Sequence, residues 1–123
     1  MIDLDSILTW NNVLFSIKTT SIYSGLLLLF YTKKEKNIRL LSTSLIYLLC
    51  IYLFDIDYTY AILYILIALC CVITESIYIH FCDETWKYMN PDIIHIPYWL
   101  ISLWSIAILL IIEGVNLMKT IIN

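Results

Sequence analysis

The chain has 123 residues, of which 62% are hydrophobic and only 14% charged, with a formal charge of −3. A soluble domain carries about 45–50% apolar and about 25% charged residues, and one this short has too little interior to enclose such a surplus. With a mean hydropathy of +0.88 the composition selects a membrane protein, and the acidic balance excludes nucleic-acid binding, which needs a basic stripe.

About 20 apolar residues cross the hydrocarbon core of a bilayer, within a range of roughly 17–25. On that measure four spans are predicted, over about residues 13–31, 38–54, 58–79 and 97–112. The first ends at Thr32-Lys33-Lys34. The connection Asp55-Ile56-Asp57 is too short to do more than fold the second and third spans into an antiparallel hairpin. The longest connection, residues 80–96, carries Trp86, Tyr88 and Pro91 and suits the membrane interface. Asp3 and Asp5 stand where a signal peptide has positive charge, and no small-residue cleavage site follows, so the N-terminal segment is expected to be retained. The expected fold is all-α: one domain over residues 1–123, a bundle of four transmembrane helices.

Orientation follows from the basic residues. Lys33, Lys34, Lys36 and Arg39 cluster between the first two spans, and Lys87 falls in the long connection on the same side. The opposite side has Asp3, Asp5, Asp55 and Asp57, with Lys119 and the partly inserted Lys18. The positive-inside rule then places the 33–39 loop in the cytoplasm and both termini outside or in a lumen. Snorkelling to the outer headgroups accounts for Lys18.

Helical periodicity assigns the faces. In span three Ala61, Tyr64, Ala68, Cys71, Glu75 and Tyr78 recur at three- and four-residue steps, while Ile62, Leu66, Leu69, Ile73 and Ile77 form the other face. Membrane helices approach one another through small and hydrogen-bonding residues, so the first stripe is expected inside and the second in lipid. Thr43, Tyr47 and Cys50 are the matching set in span two, Ser21, Ser24 and Gly25 in span one, and Tyr98, Ser102 and Ser105 in span four.

Glu75 is the main chemical candidate. It lies about 25 Å along the helix from Tyr58, close to the cytoplasmic end. An ionisable group inside a span is a functional candidate by default, here as a catalytic acid or base, a proton carrier or a cation ligand. The alternative is a structural carboxyl bonded to a Tyr or Trp of a neighbouring helix. Trp86 and Tyr88 sit on a loop short enough to fold back over Glu75, so Trp86, Tyr88, Asn90 and Tyr78 are the expected ligand-binding residues. An aromatic-lined pocket with one carboxyl suits a lipid-like or isoprenoid ligand. Tyr98 and Trp99 read as an aromatic belt at headgroup level.

Other chemistry finds less support in the residues. His80, Cys82, Asp83, Glu84 and His95 lack the spacing of a zinc ligand set, so interfacial polar residues describe them better, and no metal or cofactor is expected. Cys50, Cys70 and Cys71 fall within spans, where a thiol acts as a small apolar group, and Cys82 is juxtamembrane. A C-x-x-C pair is absent, as are a glycine-rich phosphate loop and a serine-nucleophile motif.

One stretch is more specific. Glu75, Trp86-x-Tyr88-x-Asn90-Pro91, Ile96-Pro97-x-Trp99-Leu100 and Trp104 follow in order over about a quarter of the chain. This pattern resembles a group of small uncharacterised multi-span membrane proteins, and is distantly similar to membrane proteins of carotenoid biosynthesis of the carotenoid hydratase type. The chain has Cys82-Asp83-Glu84-Thr85 where those proteins usually have a Gly before the first Trp, and Ile101-Ser102 where a Pro often follows the Trp-Leu pair. The resemblance implies a shared membrane architecture.

Three functions remain open at this level. The chain is read first as a binding or structural membrane subunit with an interfacial pocket for a lipid-like ligand. The second reading is an enzyme on a lipophilic, isoprenoid-like substrate with Glu75 as acid or base. The third is a small proton-coupled transporter. The expected partners are membrane lipid, a lipophilic small molecule and other subunits, whether copies of this chain or different ones.

Overall fold

The structure, a computed structural model, describes residues 9–82, 88, 91 and 96–122. Among the described residues four helices follow one another: α1 (Trp10–Thr32), α2 (Lys36–Leu53), α3 (Tyr58–Phe81) and α4 (Trp99–Ile122). All four are long and apolar enough to cross a membrane, which makes the chain a multi-pass integral membrane protein. Helices are what such a chain must form, because lipid offers no partner for a bare backbone N–H or C=O.

Local chemistry sets the helix ends. Thr9 caps α1 by accepting from the Asn12 N–H at 3.4 Å, and Asp57 caps α3 by accepting from the Thr59 N–H at 3.4 Å. Helix α2 closes in a Schellman motif: the Ile56 N–H donates to the Ile51 carbonyl at 3.0 Å and the Asp55 N–H to the Tyr52 carbonyl at 3.3 Å. Asp55 takes the left-handed conformation this motif requires, with φ 53°. The four-residue connection, 54–57, is thus a C-terminal turn joined directly to the next N-cap. Glycine adopts that conformation without the steric cost a Cβ brings. Asp55→Gly is accordingly expected to stabilise the fold by about 0.5–1 kcal/mol, measured as a higher unfolding midpoint in detergent.

The first two helices are clipped together at both ends by cations that satisfy each other's last carbonyls. From the start of α2, Arg39 donates to the Phe30 carbonyl at 2.9 Å and the Lys33 carbonyl at 2.7 Å, at the end of α1. From α1, the Lys18 ammonium donates to the Leu53 carbonyl at 2.7 Å, at the end of α2. Terminal carbonyls carry the negative end of the helix dipole, so both placements are favourable. The Lys18 ammonium, expected to snorkel, reaches the end of the neighbouring helix.

Helix α4 is the centre of the bundle, packing along α2 on one side and α3 on the other. Its Ile106 and Leu109 are closed off from solvent against Tyr47, Cys50, Tyr64 and Ala68. The stripe assigned to α2 is correct: Thr43, Tyr47 and Cys50 are all buried, and the Tyr47 hydroxyl donates to the Ala61 carbonyl of α3 at 2.6 Å. Ser44 and Ser102 bond across α2 and α4 at 3.1 Å.

Two face assignments need correction. On α3 the buried line starts as expected at Ala61, Tyr64 and Ala68, then drifts to Val72, Ser76 and Ile79. Cys71 and Glu75 are half-buried and Tyr78 is exposed, while Ile62, Leu66, Ile73 and Ile77 do face outward. The drift arises because 3.6 residues per turn falls between the three- and four-residue steps used to draw the stripe. On α1, Ser21, Ser24 and Gly25 are exposed and the buried residues are Asn12, Ile22 and Leu26. This helix packs chiefly on α2 and leaves Ser21 and Ser24 along an open groove beside α4. The fourth span is also longer than expected, running past Glu113 and Gly114 to Ile122.

Candidate functional site

The site forms where the Phe81 end of α3 meets the start of α4. Glu75 lies about 9 Å inside the last residue of α3, and Trp104 about 7.5 Å inside the first residue of α4, at 1.5 Å per residue. The two helices run antiparallel, so these residues meet at one level. The Trp104 indole Nε1 donates to one Glu75 oxygen at 3.1 Å. From the connection between the helices, the Tyr88 hydroxyl donates to the other at 2.5 Å. Hydrogen bonds to an ionised carboxylate are shorter and stronger than neutral ones, and here both oxygens are engaged.

Tyr88 is held in turn. Its ring meets the Trp99 ring edge-on with centroids 5.9 Å apart, and Trp99 packs on Phe30 of α1 at 4.9 Å. The Arg39 guanidinium lies over both Phe30 and Trp99, 4.7 and 5.4 Å from the ring centroids. A continuous chain of contacts therefore runs from the α1–α2 loop through Arg39, Trp99 and Tyr88 to Glu75. Trp99 is buried, not belted at the headgroups as the sequence suggests, whereas Tyr98 is exposed. A belt and a packed ring share one sequence signal, an aromatic next to a span boundary. What separates them is the guanidinium partner 60 residues earlier, which no local pattern reveals.

Beside the carboxylate lies a groove of about 570 Å³. Glu75, Cys71 and Trp104 form its half-buried floor, and Cys70, Thr74 and Tyr78 its exposed rim. The Thr74 hydroxyl is turned back onto the Cys70 carbonyl at 2.9 Å, which leaves Glu75 as the charged group of an apolar wall.

Of the expected site residues, Glu75, Tyr88 and Tyr78 come together here, Tyr88 through its hydroxyl and Tyr78 as part of the rim. Trp86 and Asn90 lie outside the described residues, as do Asp83, Glu84 and His95 of the set considered for metal binding. Trp104 belongs to the site and was noticed only as the end of the Glu75-to-Trp104 motif. Its distance of 29 residues from Glu75 becomes a contact because the two helices are antiparallel neighbours.

Chemically, the arrangement fixes a carboxylate in space. Two neutral donors of low acidity, the Tyr88 hydroxyl and the Trp104 indole, hold it in one orientation. The sequence matches no protein-family profile, and neither a curated protein nor a solved structure is significantly similar to it.

Proposed function

We propose that the protein is a binding subunit of a membrane that holds a lipid-like molecule bearing a hydroxyl donor in the groove beside Glu75. The observation that carries this reading is the groove itself. It joins about 570 Å³ of mostly apolar wall to one carboxylate clamped by Tyr88 and Trp104. Ligand sites of about 300–1,000 Å³ with few, well-placed polar groups are the usual form for apolar ligands. The hydrocarbon part of the ligand would lie along Cys70, Cys71 and Thr74, with its hydroxyl donating to the Glu75 carboxylate.

The charge asymmetry supports one orientation in the membrane. The end carrying Lys33, Lys34, Lys36 and Arg39 faces the cytoplasm, and both helix-bundle termini face the other side. The Glu75 site then opens near the cytoplasmic leaflet.

A groove-filling substitution tests the proposal. Thr74→Trp puts an indole on the rim, where the side chain is exposed and the bundle does not have to accommodate it. The variant is expected to fold with an unchanged unfolding midpoint and to lose most of the lipophilic material that copurifies with the wild type, counted by native mass spectrometry. Equal retention by the two proteins contradicts the proposal.

A further inference from the structure

A second cavity, of about 310 Å³, lies at the opposite end of the bundle. Its walls come from α1, α4 and Phe54 at the end of α2, and they carry Lys18, Glu113, Asn11 and Asn116. At 1.5 Å per residue Lys18 stands about 12 Å inside the start of α1, and Glu113 about 13 Å inside the end of α4. Two groups of opposite charge therefore sit at one depth in two spans.

The cavity has a simple origin. Helix α2 has 18 residues against 23 in α1 and 24 in α4. The Lys18 ammonium already meets the last carbonyl of α2, so the first two turns of α1 project beyond that helix. The space above the end of α2 is left open between α1 and α4. Phe15 and Leu117 form its boundary with the larger groove between those helices, about 990 Å³, which is lined mainly by apolar and small residues.

The charges in this cavity are not satisfied by each other. Among the described residues Glu113 makes no hydrogen bond or ion pair. The Lys18 ammonium makes one hydrogen bond, to Leu53, with the Phe54 ring 5.5 Å away. An ammonium has three donors and a carboxylate about four acceptor sites. Inside a span an uncompensated carboxylate is costly, and such groups are retained where something pairs with them. One wall thus offers N–H donors, another carboxylate oxygens, and each carries one amide, Asn11 on α1 and Asn116 on α4.

We propose that the Lys18–Glu113 cavity binds a zwitterion that joins an N–H ammonium to a phosphate, the phosphoethanolamine group. Glu113 accepts from the ammonium, Lys18 donates to the phosphate, and Asn11 and Asn116 supply the remaining polar contacts. The group can arrive as the head of a membrane aminophospholipid, whose chains the neighbouring groove would take, or as the free soluble zwitterion. This site is separate from the Glu75 groove and does not depend on how that groove is used.

The test uses the full chain in detergent, loaded with phosphatidylethanolamine or with phosphatidylcholine of identical acyl chains. The two lipids differ in that choline has no N–H to give Glu113. Native mass spectrometry of the wild type is expected to show about tenfold stronger retention of phosphatidylethanolamine, the loss of one charge-assisted hydrogen bond. Glu113→Gln is expected to remove that preference, and Asn116→Leu to weaken it if the first variant does not fold. A wild type without a lipid preference, but with an unfolding midpoint raised by soluble phosphoethanolamine in a Glu113-dependent way, identifies the free zwitterion as the source. Equal retention of both lipids with no effect of phosphoethanolamine overturns the proposal, as does a preference that survives in both variants.

Discussion

Trp104→Phe is expected to destabilise the bundle by about 2–3 kcal/mol, the range for a hydrogen bond to a charged partner. The substitution keeps an aromatic ring but removes the N–H that Glu75 Oε2 accepts. Tyr88→Phe removes the other donor, from Oε1, and about 1–3 kcal/mol is expected for it. The cost comes less from the lost bond than from one oxygen of a half-buried carboxylate losing its donor. Because both donors serve one carboxylate, their effects should not add, and a coupling of about 0.5–3 kcal/mol is expected in the double variant. Adding Glu75→Leu to that double variant removes the carboxylate that has lost both donors and should return part of the lost stability. Unfolding equilibria in detergent micelles read all of these. Single substitutions that each cost less than about 0.5 kcal/mol would mean that the carboxylate is solvated and not clamped.

Arg39 is expected to be the second sensitive position. Arg39→Met keeps much of the stem but loses two hydrogen bonds to the end of α1 and the contacts over Phe30 and Trp99. About 2–3 kcal/mol is expected, from charge-assisted bonds and a cation–π contact of about 0.5–2 kcal/mol. Arg39→Lys should recover less than half of that, because an ammonium cannot span two carbonyls in a planar fork and stack on rings as well. The effect should also reach the site. Trp99 rests under the guanidinium and supports Tyr88, so ligand retention in the Glu75 groove should fall in Arg39→Met even where the fold persists. Stability loss without any change in retention would show that the aromatic chain does not position the carboxylate.

Much of the fold is legible in the sequence because one rule dominates: lipid demands long apolar helices. Three of the four spans end within about three residues of their expected boundaries. The fourth runs past its expected end at Ile112 to Ile122, with Glu113 bordering a polar cavity. The α2 stripe of Thr43, Tyr47 and Cys50 was readable since that helix is packed on two sides. The α1 stripe of Ser21, Ser24 and Gly25 was not, because small residues mark a helix interface only where a partner closes on them. On α1, Ser21 and Ser24 border an open groove, and a Cβ at Gly25 would meet open space.

The candidate site was legible in part for a related reason. Glu75 stands out as a charge in a span, and a short loop brings Tyr88 within reach. Trp104 and Arg39 reach the site only through helix pairing, and their residue types fit a membrane interface equally well. The sequence-level alternative for Glu75, a carboxyl bonded to a Tyr or Trp, describes the contacts that occur. Those contacts also fix the carboxylate beside a groove, so the structural role and the proposed binding role share the same atoms.

The central claim, that the Glu75 groove holds a lipid-like molecule, is tested most directly by an experimental density map of the protein extracted with its native lipids. The account predicts an elongated density along Cys70, Cys71 and Thr74, ending within hydrogen-bond distance of the Glu75 carboxylate, with Tyr88 and Trp104 still donating to it. A groove closed by the rim side chains, or density there no stronger than in the surrounding lipid shell, would contradict it.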